Sequence, residues 1–424
     1  MSQLAGVKKQ KSSNLKVRTE NRGMLKIVRN QVISMLKSIK QGSITLVDPI
    51  ETTVCGDSKS DLSVTVTIRD LDFYRMVALE GSNGAAQAYI ENKWSTEQLT
   101  SLVRILVRNI ELLDEMESGL AWIKNSILKI WHYFNKNNVA RSKDNISAHY
   151  DLGNDFFKLF LDKHMMYSSA IYFGDESLDV ASERKLKTIC QKLDLKADDQ
   201  VIEIGTGWGG MAIYAAKNYG CHVTTTTISE QQYQYTKKRI VEEGLEDRVT
   251  LLKKDYRNLT GRFDKLVSVE MIEAVGHHYL DVYLKKCSAL LKAEGLALIQ
   301  AITIEDRRYK QALKSVDFIK RYIFPGSFIP CVSAILSSSA KHTDLRLINL
   351  EDFGESYAKT LNHWNQRFNA QYEEIKHLGY SDEFIRMWKY YFCYCEGGFL
   401  EKSISDTHLL LAKPKNQRPQ WLAQ

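Results

Sequence analysis

The sequence lacks any apolar run of about 18 residues, the length a helix needs to cross a bilayer. Its N-terminus also lacks the charged, apolar and small-residue succession of a secretory signal. The predicted location is therefore the cytoplasm. Paired cysteines are missing too. Cys55, Cys190, Cys221, Cys287, Cys331, Cys393 and Cys395 are scattered, odd in number and free of any CxxC spacing. This argues against a disulfide framework and a zinc site, and fits reduced thiols. No internal repeat or low-complexity array is visible. What is present is ordinary for a soluble globular chain: 424 residues, 44% hydrophobic and 26% charged. That length allows two or three domains.

Acidic residues are nearly absent from the first 40 positions, where ten Lys or Arg residues face the single acid Glu20. Met24, Leu25, Ile27, Val28, Val32, Met35, Leu36 and Ile39 recur there at roughly helical spacing. A basic amphipathic lead-in over 1–40 suits an anionic lipid surface. A helix packed on its own domain has the same pattern, and both readings stand. No nucleic-acid-binding motif accompanies the charge, so nucleic acid is not an expected partner.

Residues 41–118 read as a small α+β domain, with strands in "GSITLVDP" and "LSVTVTIRD" followed by two helical patterns. Ser95 and Gln98 have the spacing of a capping box for the second helix. A linker helix is expected over 119–145. From 146 to 424 the pattern alternates: "DQVIEIG", "CHVTTTTIS", "RVTLLKKD", "FDKLVSVE" and "GLALIQAITI" as strands with helices between them, and "SISDTHLLLAKP" as one late strand. Alternation of this kind predicts an α/β fold, a doubly wound Rossmann-like parallel sheet covered on both faces.

"VIEIGTGWGG" places Glu203, Gly205, Gly207 and Gly209 where the first strand meets the first helix. Glycines there permit a tight turn and close backbone approach to a ligand. A dinucleotide enzyme would want an acid at the end of the second strand, for the ribose. That end reads Thr226, Thr227, Ile228, Ser229 instead. The spacing resembles class I methyltransferases, which implies S-adenosylmethionine as cofactor. "KDYRNL" resembles their adenine segment, with Asp255 and Tyr256 as candidates.

"NISAHYDLGNDFFKLFLDKHMMYSSAIYF", "EIGTGWGG", "TISEQQ", "SVEMIEAVG" and "YIFPG" occur in that order. Together they closely resemble the cyclopropane-fatty-acyl-phospholipid synthases and the related mycolic acid cyclopropane synthases, from about residue 140 to the C-terminus. The 41–118 unit resembles the lipid-binding-like domain of the longer bacterial members. The resemblance implies methylene transfer to the cis double bond of phospholipid acyl chains. A carbocation would form on the chain and lose a proton to a bound bicarbonate ion. Tyr167, Ser168, Gly205 and Gly207 would serve the cofactor's methionine portion, and Thr227 and Gln232 its ribose. Ser169, Glu273, Gln300, Ile302 and Tyr357 would hold bicarbonate, and Cys395 matches a family cysteine near the active site. Tyr167, Tyr172, Tyr322, Phe324 and Tyr357 are candidate wall residues. The implied partner is a bilayer with unsaturated chains, met peripherally at its inner face; a homodimer is left open.

The sequence departs from this pattern at Glu203, Thr206 and Ser169, and more seriously at Gln300, which replaces a histidine and cannot carry a proton or positive charge. Glu270 stands where the best-known members have glycine. It either faces the cofactor's cationic end or pairs locally with Lys or Arg. Two such close acids, Glu270 and Glu273, are expected to raise one another's pKa. The alternatives left open are a methylene-branched product, a soluble acceptor, and a lipid-binding protein with a decayed site.

Overall fold

The computed structural model describes residues 23, 25–112, 114 and 152–418. Most of the basic lead-in (1–22) and the expected linker helix (119–145) lie outside the described residues. The chain divides into two units, 1–142 with 380–397, and 143–379 with 398–424.

The first unit contains a four-stranded sheet of β1 (Ser43–Val47), β2 (Thr52–Gly56), β3 (Ser63–Ile68) and β4 (Trp94–Ser95), in the order β2-β1-β3-β4. Along β3 the exposure alternates residue by residue, so Val64, Val66 and Ile68 point into the core. Helices α1 (Asp72–Ile90) and α2 (Leu99–Arg108) complete the unit. The expected capping box does not form. Ser95 is committed to β4 by pairing with Thr67, and α2 starts at Leu99 without a side-chain cap.

Residues 25–36 are helical, and Val28, Val32 and Ile33 are buried. The buried Arg29 donates to Asp48 at 2.6 Å and Glu51 at 3.1 Å. This stretch therefore belongs to the small domain, which corrects the expected boundary at residue 40. A second correction concerns 380–397, expected inside an uninterrupted C-terminal domain. Arg386 Nε donates to the Ile90 carbonyl at 2.7 Å, Tyr390 lies 5.5 Å from Tyr89, and Thr100 donates to Glu396 at 2.6 Å. These contacts place the segment with the first unit.

The second unit is built on seven strands: β5 (Gln200–Ile204), β6 (His222–Thr227), β7 (Val249–Lys253), β8 (Phe263–Val269), β9 (Leu291–Ile304), β10 (Arg346–Asp352) and β11 (Ile404–Ala412). Their order is β10-β11-β9-β8-β5-β6-β7, with β5 to β9 parallel and β11 antiparallel to both its neighbours. The expected late strand is β11. The edge strand β10 escapes sequence reading because it never forms a buried apolar run.

Successive strand residues face opposite cores. Val201, Val267 and Leu298 pack with α3 (Leu178–Leu193), α4 (Gly210–Tyr219) and α5 (Glu230–Glu242). Ile202, Leu266 and Ile299 pack with α6 (Leu280–Ala289) and α7 (Val332–His342). This is the doubly wound α/β fold expected. Strand β5 lies between β6 and β8, so the chain reverses its winding there. In such sheets ligands bind beyond the carboxyl ends of the strands at that point.

Candidate active site

The glycine turn leaves β5 at this switch point. Gly205 has φ +101° and Gly207 φ +52°, conformations that a side chain disfavours. A Cβ on Gly205 would come within 3.2 Å of Met271, so the loop abuts the segment carrying Glu270 and Glu273. A Cβ on Gly207 would meet nothing within 4 Å, so the backbone there faces open space. The loop fits the amino-acid and ribose portions of S-adenosylmethionine: bare backbone on an open side, at the head of a helix. Gly209, φ +84°, is held by close packing on Thr236.

Glu203 lies beneath the loop. Its carboxyl accepts from Thr225 at 2.5 Å, and the Thr225 hydroxyl meets that of Thr206 at 2.7 Å. Only 2% exposed, Glu203 is pushed up to about 8 by burial, so it carries its proton at neutral pH and braces the turn. The linkage has a definite sign. Unfolded, this carboxyl titrates near 4.5; folded, near 8. Its stabilising contribution is therefore full below about pH 4.5 and is lost as pH rises through 8. Glu203→Gln is expected to raise the melting temperature at pH 9 and to leave it little changed at pH 5; an equal effect at both would show that Glu203 does not titrate in this window.

At the end of β6, the Thr227 hydroxyl donates to Gln232 Oε1 at 2.9 Å, bringing together the two residues expected to serve the ribose. At the end of β7, Asp255 is engaged by Arg257 at 3.0 and 2.7 Å, and Tyr256 packs edge-on against Tyr283 at 5.7 Å. Tyr167 is half-buried among Phe157 (5.3 Å), Trp364 (5.3 Å) and Phe324 (6.2 Å). The buried Ser168 accepts from the Lys185 ammonium, which leaves the serine O–H free to donate.

The acids follow immediately. Ser169 N and Gln300 Nε2 both donate to Glu270 Oε1 at 2.8 Å, and Tyr357 OH donates to Glu270 Oε2 at 2.7 Å. Ile302 N donates to Glu273 Oε1 at 2.6 Å, while the buried Glu273 Oε2 has no hydrogen-bond partner among the described residues. Burial, and then the Glu270 charge, push Glu273 up to about 8. Burial also raises Glu270, opposed by the nearby Lys185 charge and by its hydrogen bonds. Both acids are half-buried, whereas Ser169, Gln300 and Tyr357 behind them are buried.

Five residues expected around bicarbonate thus come together, but on side-chain carboxylates. An added bicarbonate would find its donors engaged and meet Glu270 and Glu273 directly. The residues present do not fit that ion. Cys395 is half-buried on α8 (Asp382–Leu400), in the segment belonging to the first unit. Tyr172 stacks on His363 at 5.6 Å, Tyr322 packs on Phe318 at 5.3 Å, and His277 and His278 lie on an exposed turn.

Sequence reasoning missed a buried polar support. Gln300 lies opposite His408 in the β9–β11 register, and Asp406 opposite Ile302. The His408 Nδ1 lies 3.2 Å from the Lys192 ammonium, and its Nε2 lies 3.2 Å from Gln300 Oε1. Burial and the charges of Lys192 and Lys185 hold the imidazole neutral. An ammonium can only donate, so Nδ1 accepts and Nε2–H donates to the amide oxygen. That assignment aims the Gln300 NH₂ at two acids, Glu270 and, at 2.8 Å, Asp406. Asp406 is held far above the usual carboxylate range by burial and by the Glu270 charge, and so stays protonated. A histidine at 300 could not bridge two acids from one nitrogen. The signal available in the sequence was Lys185 and Lys192 at helical spacing with Leu178, Ser182 and Ile189, all buried on α3.

A family profile described as mycolic acid cyclopropane synthetase matches residues 137–409. The chain is 36% identical over 341 residues to the cyclopropane-fatty-acyl-phospholipid synthase of Escherichia coli K12, covering 80% of this chain and 85% of that one. It is 33% identical over 334 residues to the tuberculostearic acid methyltransferase of Mycobacterium tuberculosis, covering 77% of each. Among solved structures, a cyclopropane synthase from M. tuberculosis superposes with a TM-score of 0.59 at 26% identity, over 65% of this chain and 100% of that one. With the glycine loop at the switch point and the acids beside it, these likenesses establish that the chain belongs to the mycolic acid cyclopropane synthetase family and is an S-adenosylmethionine-dependent methyltransferase.

Proposed function

We propose that the enzyme adds a methylene unit to the cis double bond of unsaturated phospholipid acyl chains, forming a cyclopropane. The observation that carries this reading is the pairing of acids and aromatic rings beside the cofactor loop. Bound S-adenosylmethionine supplies an electrophilic methyl group. An isolated alkene is a weak nucleophile, so the site must align it, and positioning can supply roughly 7–11 kcal/mol. The positive charge that then develops on the chain suits the Glu270 carboxylate and the faces of Tyr167 and Tyr357. Tyr357 is itself held by stacking on Phe399 at 4.5 Å. A wall of rings also keeps water from trapping the cation as an alcohol.

Acyl chains are proposed to enter along residues 316–328. Phe318 and Phe328 anchor this segment in the core, while Val316 and Phe324 are exposed beside Lys320 and Arg321. Apolar side chains next to basic ones favour peripheral contact with an anionic bilayer. Among the described residues no helix is long and apolar enough to cross a membrane. We place the enzyme at the cytoplasmic face.

The test incubates the protein with monounsaturated phospholipid vesicles and methyl-labelled S-adenosylmethionine, then examines the acyl chains by mass spectrometry and proton NMR. High-field ring protons on labelled chains are expected. Vinylic branch protons would give the second reading, favoured by the similar identity to two relatives named for different products. Absence of label would move the search to soluble acceptors or a binding role.

A further inference from the structure

Glu270 is the first residue after β8, and its backbone lies in the left-handed region at φ +47°. Glycine is at ease there; a glutamate is strained, and strain of this kind persists where the surroundings over-determine it. The backbone N–H is fixed on the Gln300 carbonyl at 2.9 Å. The side chain then takes both amide donors on one oxygen and the tyrosine hydroxyl on the other, at 2.7–2.8 Å. Its donors are buried but the residue itself is only half-buried, which is the placement a group needs to be gripped from behind and met from the front.

A glutamate head and a bicarbonate ion present the same planar carbon with two oxygens to such donors. We propose that Glu270 is the enzyme's resident catalytic base, standing in the place of a bound bicarbonate and making the reaction independent of that ion. The assignment rests on the acyl-chain reading above. In that reaction the alkene electron pair forms a bond to the methyl carbon as the carbon–sulfur pair stays on sulfur, leaving a cation on the chain. One C–H bond of the new methyl then breaks. Its electron pair closes the ring and its proton passes to a Glu270 carboxylate oxygen, from which water removes it between turnovers.

The neighbouring groups support this choice over Glu273. Burial raises both carboxyls, but at Glu270 three donors and the Lys185 charge oppose the rise, whereas the Glu273 side chain accepts from Ile302 N and faces the Glu270 charge. Two acids with environments that separate their protonation divide into a base and a proton-bearing partner. Asp406, across the Gln300 amide, keeps its proton and adds no second charge.

The test is Glu270→Gly, a change that relieves the left-handed strain but takes the acceptor from three donors and the counter-charge from Lys185. Thermal melting and S-adenosylmethionine titration are therefore run on it first. Glu270→Gln, which keeps an acceptor for the donors but no base, is assayed beside it and should lose turnover without regaining it on added bicarbonate. Wild-type turnover on monounsaturated vesicles should be the same in bicarbonate-free buffer and with millimolar bicarbonate. Glu270→Gly should lose about 100-fold or more without bicarbonate and regain at least about tenfold when it is added. Independently of turnover, carbon-13 bicarbonate should remain with S-adenosylhomocysteine-bound Glu270→Gly at one equivalent and be absent from the wild type. Stimulation of the wild type by bicarbonate, one equivalent retained by it, or full turnover of the variant without the ion would overturn the proposal. If no acyl chain is labelled under any condition, the functional reading fails, and carbon-13 retention still decides whether Glu270 occupies the anion's place.

Discussion

Lys185→Met is expected to lower the free energy of unfolding by about 3–5 kcal/mol, the cost of leaving buried charge without its partner. Lys185 has no solvent exposure, and its ammonium donates to the buried Ser168. Glu270, Asp162 and Asp406 are the acids whose fields act on it, while burial pulls its pKa down. Methionine matches the stem but supplies neither charge nor donor. Glu270 then loses the cation whose charge opposes the rise of its pKa, and Ser168 loses its donor. Urea unfolding at pH 7 measures the effect, and the loss should shrink as pH falls and the carboxylates take up protons. Adding Glu270→Gln should return part of the stability, because the carboxylate that the Lys185 charge acted on is then neutral. A loss below about 1 kcal/mol, the range of exposed pairs, would mean that Lys185 is neutral in the folded protein and that Glu270 is balanced by its hydrogen bonds alone.

Tyr357→Phe should lower turnover strongly with little effect on folding or on S-adenosylmethionine affinity. The hydroxyl donates to Glu270 Oε2 at 2.7 Å. The ring is held separately, stacked on Phe399 at 4.5 Å and edge-on to Trp364 at 6.1 Å. Phenylalanine keeps both contacts. A hydrogen bond to a charged group contributes about 1.5–3 kcal/mol, which corresponds to roughly a 10- to 150-fold loss in rate. Its removal also raises the Glu270 pKa, so the acidic limb of the pH–rate profile should move to higher pH. A purely structural role would leave that limb in place. Turnover within twofold of wild type would remove the Tyr357 hydroxyl from the reaction.

Local pattern carried most of the architecture. Apolar strand runs alternating with helical spacing marked β5 to β9, and the glycines at 205, 207 and 209 stand at the turn where β5 meets α4, at positive φ as a tight turn demands. The same reasoning failed where a position is decided by a distant partner. Ser95 has the chemistry of a cap, yet pairing with β3 claims its backbone. Residues 380–397 follow the methyltransferase pattern in the chain but pack on Tyr89, Ile90 and Thr100 of the first unit. Residues 25–36 carry an amphipathic stripe suited to lipid or protein, and the burial of Val28, Val32 and Ile33 chose protein.

The sequence by itself determined the fold class, the glycine-rich turn after β5 and the presence of two acids at the end of β8, because each depends on contacts within a few residues or on periodicity. Only the tertiary structure decided what those acids touch. Ser169, Gln300 and Tyr357 come from three separate segments and meet at Glu270 because β8 and β9 pair in parallel and residues 169–172 lie against the helix at 354–370, with Ala170 N donating to Thr360 and Tyr172 N to Ser356. The departure at Gln300 looked damaging in isolation, since an amide carries no proton. In place, with neutral His408 on its oxygen and two acids on its nitrogen, the amide is the group that the site requires. Hydrogen-bond valence is a property of neighbours in space, and the chain order does not record it.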